Sequence, residues 1–197
     1  MNNPIRILGI AGSLRRESYN RAALRAATKL VPEGAILETF ELDGIPVFNQ
    51  DEEQNPPAKV TELKRRIREA DAILFVTPEY NYSVSGVLKN AIDWASRPYG
   101  DNVWDGKPVG IMGASIGMLG TARAQYHLRQ MFVFLNIFPL NQPEVMIPYA
   151  ENKFDNEGNL TDQITSQKIS ELLKTLLEWT KTVEKAKPAP TGGRFFS

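Results

Sequence analysis

Two hydrophobic periods alternate along the chain. Ile5-Arg6-Ile7-Leu8-Gly9-Ile10-Ala11 is an apolar run of strand length that stops at Gly12. Over residues 18–30 the spacing becomes helical, with Ala23, Leu24, Ala27 and Leu30 on one stripe, and Pro32-Glu33-Gly34 ends it. Residues 35–42 predict a second strand, and a long polar connection containing Gly44-Ile45-Pro46 leads to a helix over 58–70 with Val60, Leu63 and Ile67 inward. Ala72-Ile73-Leu74-Phe75-Val76 is continuously apolar, as expected of a strand covered on both faces. A loop over 77–86 precedes a helix ending near Ser96. Residues 108–114 predict a fourth strand, 115–120 a loop, 121–135 a helix, and 144–147 a fifth strand. A turn over 152–159 leads to a last helix from Thr161 to about Lys185, with Ile169, Leu172, Leu173, Leu176 and Val183 inward.

Strands alternating with helices predict an α/β fold, a doubly wound parallel sheet with helices on both faces. For five strands the expected order is 2-1-3-4-5, with ligands bound at the carboxyl ends of the strands where the winding reverses. That order sets residues 12–20 beside 77–83, with 115–120 next along the rim. Residues 1–186 are expected to form a single domain. The Pro- and Gly-containing stretch 187–197 is expected to be a flexible tail.

Composition narrows the chemistry. The chain has 197 residues, a formal net charge of zero, no cysteine and a single histidine, His127. Zero net charge gives no electrostatic case for nucleic acid or an anionic membrane. No apolar run is long enough to span a bilayer, and the first residues lack the features of a signal peptide, so a cytoplasmic protein is expected. Without cysteine there is no disulfide, thiolate or iron–sulfur chemistry, and one histidine argues against a histidine metal site or a Ser-His-Asp triad. Redox work would need a cofactor.

Residues 9–20 read GIAGSLRRESYN. A strand, a glycine turn and a helix N-terminus make an anion site, because the first N–H groups of a helix have no internal partner and carry the positive end of the dipole. Ser13, Ser18 and Asn20 add neutral donors and Arg15 a charged one. The alternative is an ordinary βα turn with Ser18 as its cap. The second loop, TPEYNYSVSG, is longer than a plain βα turn needs. Tyr80 and Tyr82 suit an aromatic wall, and the N–H groups from Glu79 to Tyr82 suit the polar edge of a ring, unless both tyrosines simply pack the top of the sheet. In the third loop, ASIGMLG, Gly117 and Gly120 allow close approach of a flat ligand. Lys89 and Asp93 read as an i,i+4 pair, His127 as a solvated or interface residue, and Asp155-Asn156-Glu157-Gly158-Asn159 as a turn rather than a calcium loop. The dinucleotide fingerprint G-x-G-x-x-G and the P-loop pattern are both missing. One phosphate and one flat, edge-polar ring at a switch point fit FMN.

GSLRRESYN at 12–20, TPEYNYSVSGVLKNAIDW at 77–94 and ARAQYHLRQ at 122–130 closely resemble the NAD(P)H-dependent FMN reductase family, especially its chromate- and quinone-reductase-like branch. Gly120-Thr121 departs from the Gly-Gly common in relatives. The resemblance implies a flavodoxin-like fold binding FMN, with the phosphate on Ser13, Arg15, Ser18 and Asn20 and on the intervening loop, including Leu14 and Tyr19. It implies the isoalloxazine against Pro78, Glu79, Tyr80, Asn81 and Tyr82, with Ser115 and Gly117 on another edge. It also implies a homodimer or homotetramer with interfaces on the helix from Ala122 and on residues 93–99, NADPH or NADH as hydride donor, and a small-molecule acceptor such as a quinone, flavin, azo or nitro compound, or chromate. No side chain is then required as acid or base, because the cofactor carries the chemistry. The competing reading is a flavodoxin-like electron carrier. Such carriers are usually strongly acidic, and this chain is neutral.

Overall fold

The computed structural model describes residues 3–186, and the expected tail lies outside the described residues. The elements follow in the order β1 (Ile5–Ala11), α1 (Tyr19–Lys29), β2 (Ala35–Phe40), α2 (Ala58–Glu69), β3 (Ala72–Val76), a hairpin of β4 (Glu79–Tyr80) and β5 (Ser83–Val84), α3 (Gly86–Ala95), β6 (Pro108–Ala114), α4 (Ala122–Leu135), β7 (Phe138–Pro139), β8 (Val145–Ile147) and α5 (Gln163–Ala186). β2, β1, β3 and β6 lie side by side, all parallel. This is the flavodoxin-like α/β architecture, with the expected order over its first four positions.

The fifth position differs from expectation. It is shared by β7, which pairs with the start of β6 through Pro108 and Val109, and by β8, which pairs with its end through Met112, Gly113 and Ala114. Pro139 ends β7 and Pro143 lies within the connection to β8; neither carries an N–H, which interrupts the ladder along this segment. The sheet therefore counts six strands.

Side-chain alternation in the central strands divides the core into two layers. Leu8, Ile10, Ile73, Phe75, Val109 and Ile111 face α2, α3 and α4 through Leu63, Ile67, Leu88, Ile92, Leu128 and Phe132. Ile7, Ala11, Ala72, Leu74, Val76 and Met112 face α1 and α5 through Ala23, Leu24, Ile169, Leu172 and Leu176. With both faces covered, β3 and β6 are buried throughout, which accounts for their unbroken apolar sequences. The connection after β2 folds back on α3: the Trp94 indole N–H and the Asn90 amide both donate to Pro46 C=O at 2.8 Å. This packing leaves the carboxyl ends of β1, β3 and β6 as a rim formed by three loops.

Candidate active site

The first loop of the rim is pinned from below. Gly12 N–H donates to Val76 C=O at 2.9 Å, and Gly12 C=O accepts from the Ser85 hydroxyl at 2.6 Å. A Cβ at Gly12 would stand 3.0 Å from Leu88 Cβ and 3.1 Å from Pro78 Cδ, so this turn lies directly against the second loop and the cap of α3. Beyond it, Ser13 and Ser18 are buried, while Leu14, Arg15 and Arg16 are exposed. Ser18 caps α1, its Oγ accepting from Asn20 N–H at 3.2 Å, and Ser13 Oγ accepts from Arg15 N–H at 3.3 Å. Both hydroxyls accept in these bonds and keep their own protons to donate.

The first turn of α1 carries no acidic residue, and Arg15 and Arg16 form no ion pair among the described residues. The N–H groups of Leu14, Arg16 and Glu17 donate to no acceptor among the described residues. A separate cleft of about 310 Å³ lies between this loop and residues 151–158, where Glu17, Glu151, Asp155 and Glu157 line it together with Arg15 and Arg25, so it is not itself the anion site. Free backbone donors, two hydroxyls, an unpaired guanidinium and a helix whose first turn carries no carboxylate fit a phosphate group. Asn20 does something the sequence did not suggest. Its amide donates to Ala114 C=O at 2.9 Å and its carbonyl accepts Ala114 N–H at 2.8 Å, tying the first turn of α1 to the end of β6.

The second loop is a hairpin rather than an irregular segment. β4 and β5 pair antiparallel across Asn81 and Tyr82, both with positive φ, at 50° and 66°. Two consecutive left-handed residues match the right-handed twist of a two-residue hairpin, and the second of these positions normally favours glycine. Tyr82 occupies it, 67 % exposed, with its ring centre 3.6 Å from the Arg123 guanidinium carbon. Tyr80 is also exposed, so neither tyrosine packs the top of the sheet.

Glu79 has its side chain only 8 % exposed. One carboxylate oxygen accepts from Arg123 Nε at 2.6 Å, and the other accepts from the N–H groups of Arg123 and Ala124 at 3.0 and 3.3 Å. Thr121, the residue at the start of α4, makes no capping bond of its own, so Glu79 caps this helix from another element. The Ser83 hydroxyl and His127 Nδ1 are 2.9 Å apart, a second clamp between the hairpin and α4. The only histidine of the chain therefore has a partner instead of facing solvent alone.

In the third loop, Ser115 Oγ accepts from Gly117 N–H at 3.1 Å, and Gly120, at φ 53°, approaches so closely that a Cβ would lie 2.7 Å from Ile147 N. Ile116, Met118 and Leu119 are exposed at its tip. Between this loop and the hairpin lies a pocket of about 310 Å³, lined by Glu79, Ser115, Gly117, Met118, Leu119, Thr121 and Arg123. The fold thus brings all three predicted loops to one rim. Arg123, which lines this pocket, has no signal in the sequence beyond its place in the ARAQYHLRQ helix motif.

A family model described as NADPH-dependent FMN reductase matches residues 5–152. The chain belongs to the NADPH-dependent FMN reductase family. It is an oxidoreductase, and its relatives are enzymes rather than electron carriers. It is 54 % identical over 183 residues to an NAD(P)H-dependent FMN reductase of Pseudomonas aeruginosa, covering 92 % of this chain and 98 % of that one. It is 40 % identical over 177 residues to a 2-hydroxy-1,4-benzoquinone reductase of a Burkholderia species, covering 90 % and 97 %. The flavoenzyme NAD(P)H:(acceptor) oxidoreductase of Paracoccus denitrificans superposes with a TM-score of 0.81 at 34 % identity, covering 90 % of this chain and 98 % of that one. As a member of this family the chain uses FMN and a nicotinamide donor. Among the described residues no helix is long and apolar enough to cross a membrane, and no cluster of acidic or histidine side chains forms a metal site.

Proposed function

We propose that this chain takes hydride from NADPH or NADH and reduces a quinone or related flat acceptor by a ping-pong mechanism, in the cytoplasm, as a homodimer or homotetramer, with residues 1–186 acting as one FMN-binding domain. The observation that carries the cofactor site is the first loop: unpaired Arg15, buried Ser13 and Ser18, and the acid-free first turn of α1. In this reading Ser13, Leu14, Arg15, Ser18 and Tyr19 hold the phosphate. Asn20 acts chiefly by fixing that helix to β6. The hairpin, through Pro78, Glu79, Tyr80, Asn81 and Tyr82, walls the ring, and Ser115 and Gly117 meet another edge.

Bound FMN would supply the redox chemistry, receiving electrons from the nicotinamide and returning them to the acceptor. The protein's part is to orient and to exclude water. The hairpin is suited to this because Glu79 and His127 clamp it to α4 before any ligand arrives, which reduces the ordering cost of binding. No side chain on the rim is required as acid or base. The quinone class is supported by the 2-hydroxy-1,4-benzoquinone reductase among the relatives.

Oligomerisation is supported by an apolar stripe on α4. Tyr126, Val133 and Phe134 lie at helical spacing, with Val133 83 % and Phe134 80 % exposed, an apolar face suited to a partner. Anaerobic titration of the FMN-loaded protein with NADPH and NADH tests the activity. Bleaching of the flavin absorbance, followed by its return on adding a quinone, is expected.

A further inference from the structure

The cleft between the first loop and residues 151–158 lies outside the proposed phosphate cradle but is continuous with it, sharing Arg15, Ser18 and Tyr19. The first loop and α1 bring Arg15, Arg16 and Arg25 to it, and residues 151–158 bring Glu151, Asp155 and Glu157. None of these six side chains forms an ion pair among the described residues, although both signs line one cleft. Asp155 is engaged in its own turn, its Oδ1 accepting from the N–H groups of Glu157 and Asn159 at 2.9 and 2.8 Å. The Glu151 carboxylate has no hydrogen-bond partner among the described residues, and the Arg25 guanidinium meets only Gly158 C=O, at 3.4 Å. Tyr19 and Phe154 add an aromatic wall, their ring centres 5.7 Å apart. The segment that forms the far wall is anchored at both ends: Ala150 N–H donates to Ser115 C=O at 3.1 Å, and Thr161 N–H to Lys153 C=O at 2.9 Å. The cleft therefore needs little ordering to receive a ligand.

Guanidiniums and carboxylates that line one cleft without neutralising each other suit a ligand with an anionic part and a neutral part rich in donors. A nucleotide extended from the cradle has both. We propose that this cleft is a nucleoside site, through which the protein binds FAD as well as FMN. FAD is FMN lengthened at its phosphate by AMP, so a phosphate held on the first loop sets the extension beside the cleft. Arg15 and Arg16 are the donors for the second phosphate. Glu151 and Glu157 accept from the ribose hydroxyls and the adenine amino group, while Arg25 and Tyr19 supply planar surfaces for the adenine ring. With Glu17 the carboxylates outnumber the guanidiniums, which favours a neutral nucleoside in the cleft over a free anion. The inference rests on the FMN reading of the first loop proposed above.

The test titrates FMN and FAD calorimetrically into the full-length chain freed of flavin, as wild type and as the double variant Arg25→Gln with Glu151→Gln. Both side chains are exposed and lie outside the cradle, so the thermal midpoint should hold. Wild type is expected to bind FAD within about 10-fold of FMN, a comparison that needs no variant. The double variant is expected to weaken FAD by at least about 5-fold while FMN changes by less than about 2-fold. FAD bound more weakly than that by wild type, a smaller loss of FAD in the variant, or a loss shared equally by FMN would overturn the proposal. Wild type that binds neither flavin would remove the FMN reading as well, whereas wild type that binds FMN and leaves FAD free would remove this proposal alone.

Discussion

Two residues on the first loop have separable roles. Arg15 faces outward without an ion pair, so its removal should leave the fold intact, and in the proposed reading it loses a phosphate contact. Arg15→Ala is expected to weaken FMN by about 1.5–3 kcal/mol, the usual range for a hydrogen bond to a charged group. Fluorescence titration measures it, and the thermal midpoint should stay unchanged. Asn20 is the reverse case. Asn20→Ala strands the buried N–H and C=O of Ala114, which is expected to cost about 1–3 kcal/mol of stability in denaturant unfolding. Tyr82 should separate conformation from contact. Tyr82→Gly relieves about 1–2 kcal/mol of left-handed strain and loses a cation–π contact worth about 0.5–1 kcal/mol, so the melting temperature should hold or rise slightly while ligand affinity falls. Residues such as Ser13, Ser18 and Arg15 were legible because a helix start is a local pattern. The partnership of Glu79 with Arg123 was not, because 44 residues separate them and nothing in either stretch names the other. Asn20 was legible as a polar residue of the helix start, but its tie to Ala114 was not, since that partner lies 94 residues away.

Element boundaries followed the hydrophobic period closely wherever an element is buried on two faces, as in β1, β3 and β6. The hairpin of β4 and β5 escaped because its turn is Asn-Tyr, which lacks the glycine that signals such a turn. The divided fifth position escaped because two- and three-residue strands carry no period. Gly120, legible as glycine but not as a contact, closes the third loop on β8. Gly120→Ala combines a left-handed backbone with a Cβ 2.7 Å from Ile147 N, and should destabilise the protein by about 1–3 kcal/mol in denaturant unfolding. At the head of α5, Asp162 accepts from the side-chain hydroxyl of Thr165, the Lys153 ammonium and Thr165 N–H, which hold its carboxyl down to about 2. A value below the unfolded one, about 3.9, gives stability that is complete above the unfolded value and is lost as pH falls toward 2. The melting-temperature gap between wild type and Asp162→Asn is therefore expected to shrink between pH 5 and pH 2 in a calorimetric series.

At the scale of the molecule, a neutral chain without cysteine and with one histidine leaves redox chemistry to a cofactor, and the proposed place for it is where the winding of the sheet reverses between β1 and β3. The apolar stripe of α4 belongs to this scale too. Val133→Asp with Phe134→Asp should lower the mass seen in sedimentation by at least one protomer if α4 is an interface. The most direct measurement is the absorbance spectrum of the purified protein with FMN, followed anaerobically after NADPH or NADH is added. A bound flavin spectrum that bleaches with the nicotinamide and recovers with a quinone is expected. A protein that leaves FMN unbound, or binds it and stays oxidised under both nicotinamides, would contradict the proposed activity.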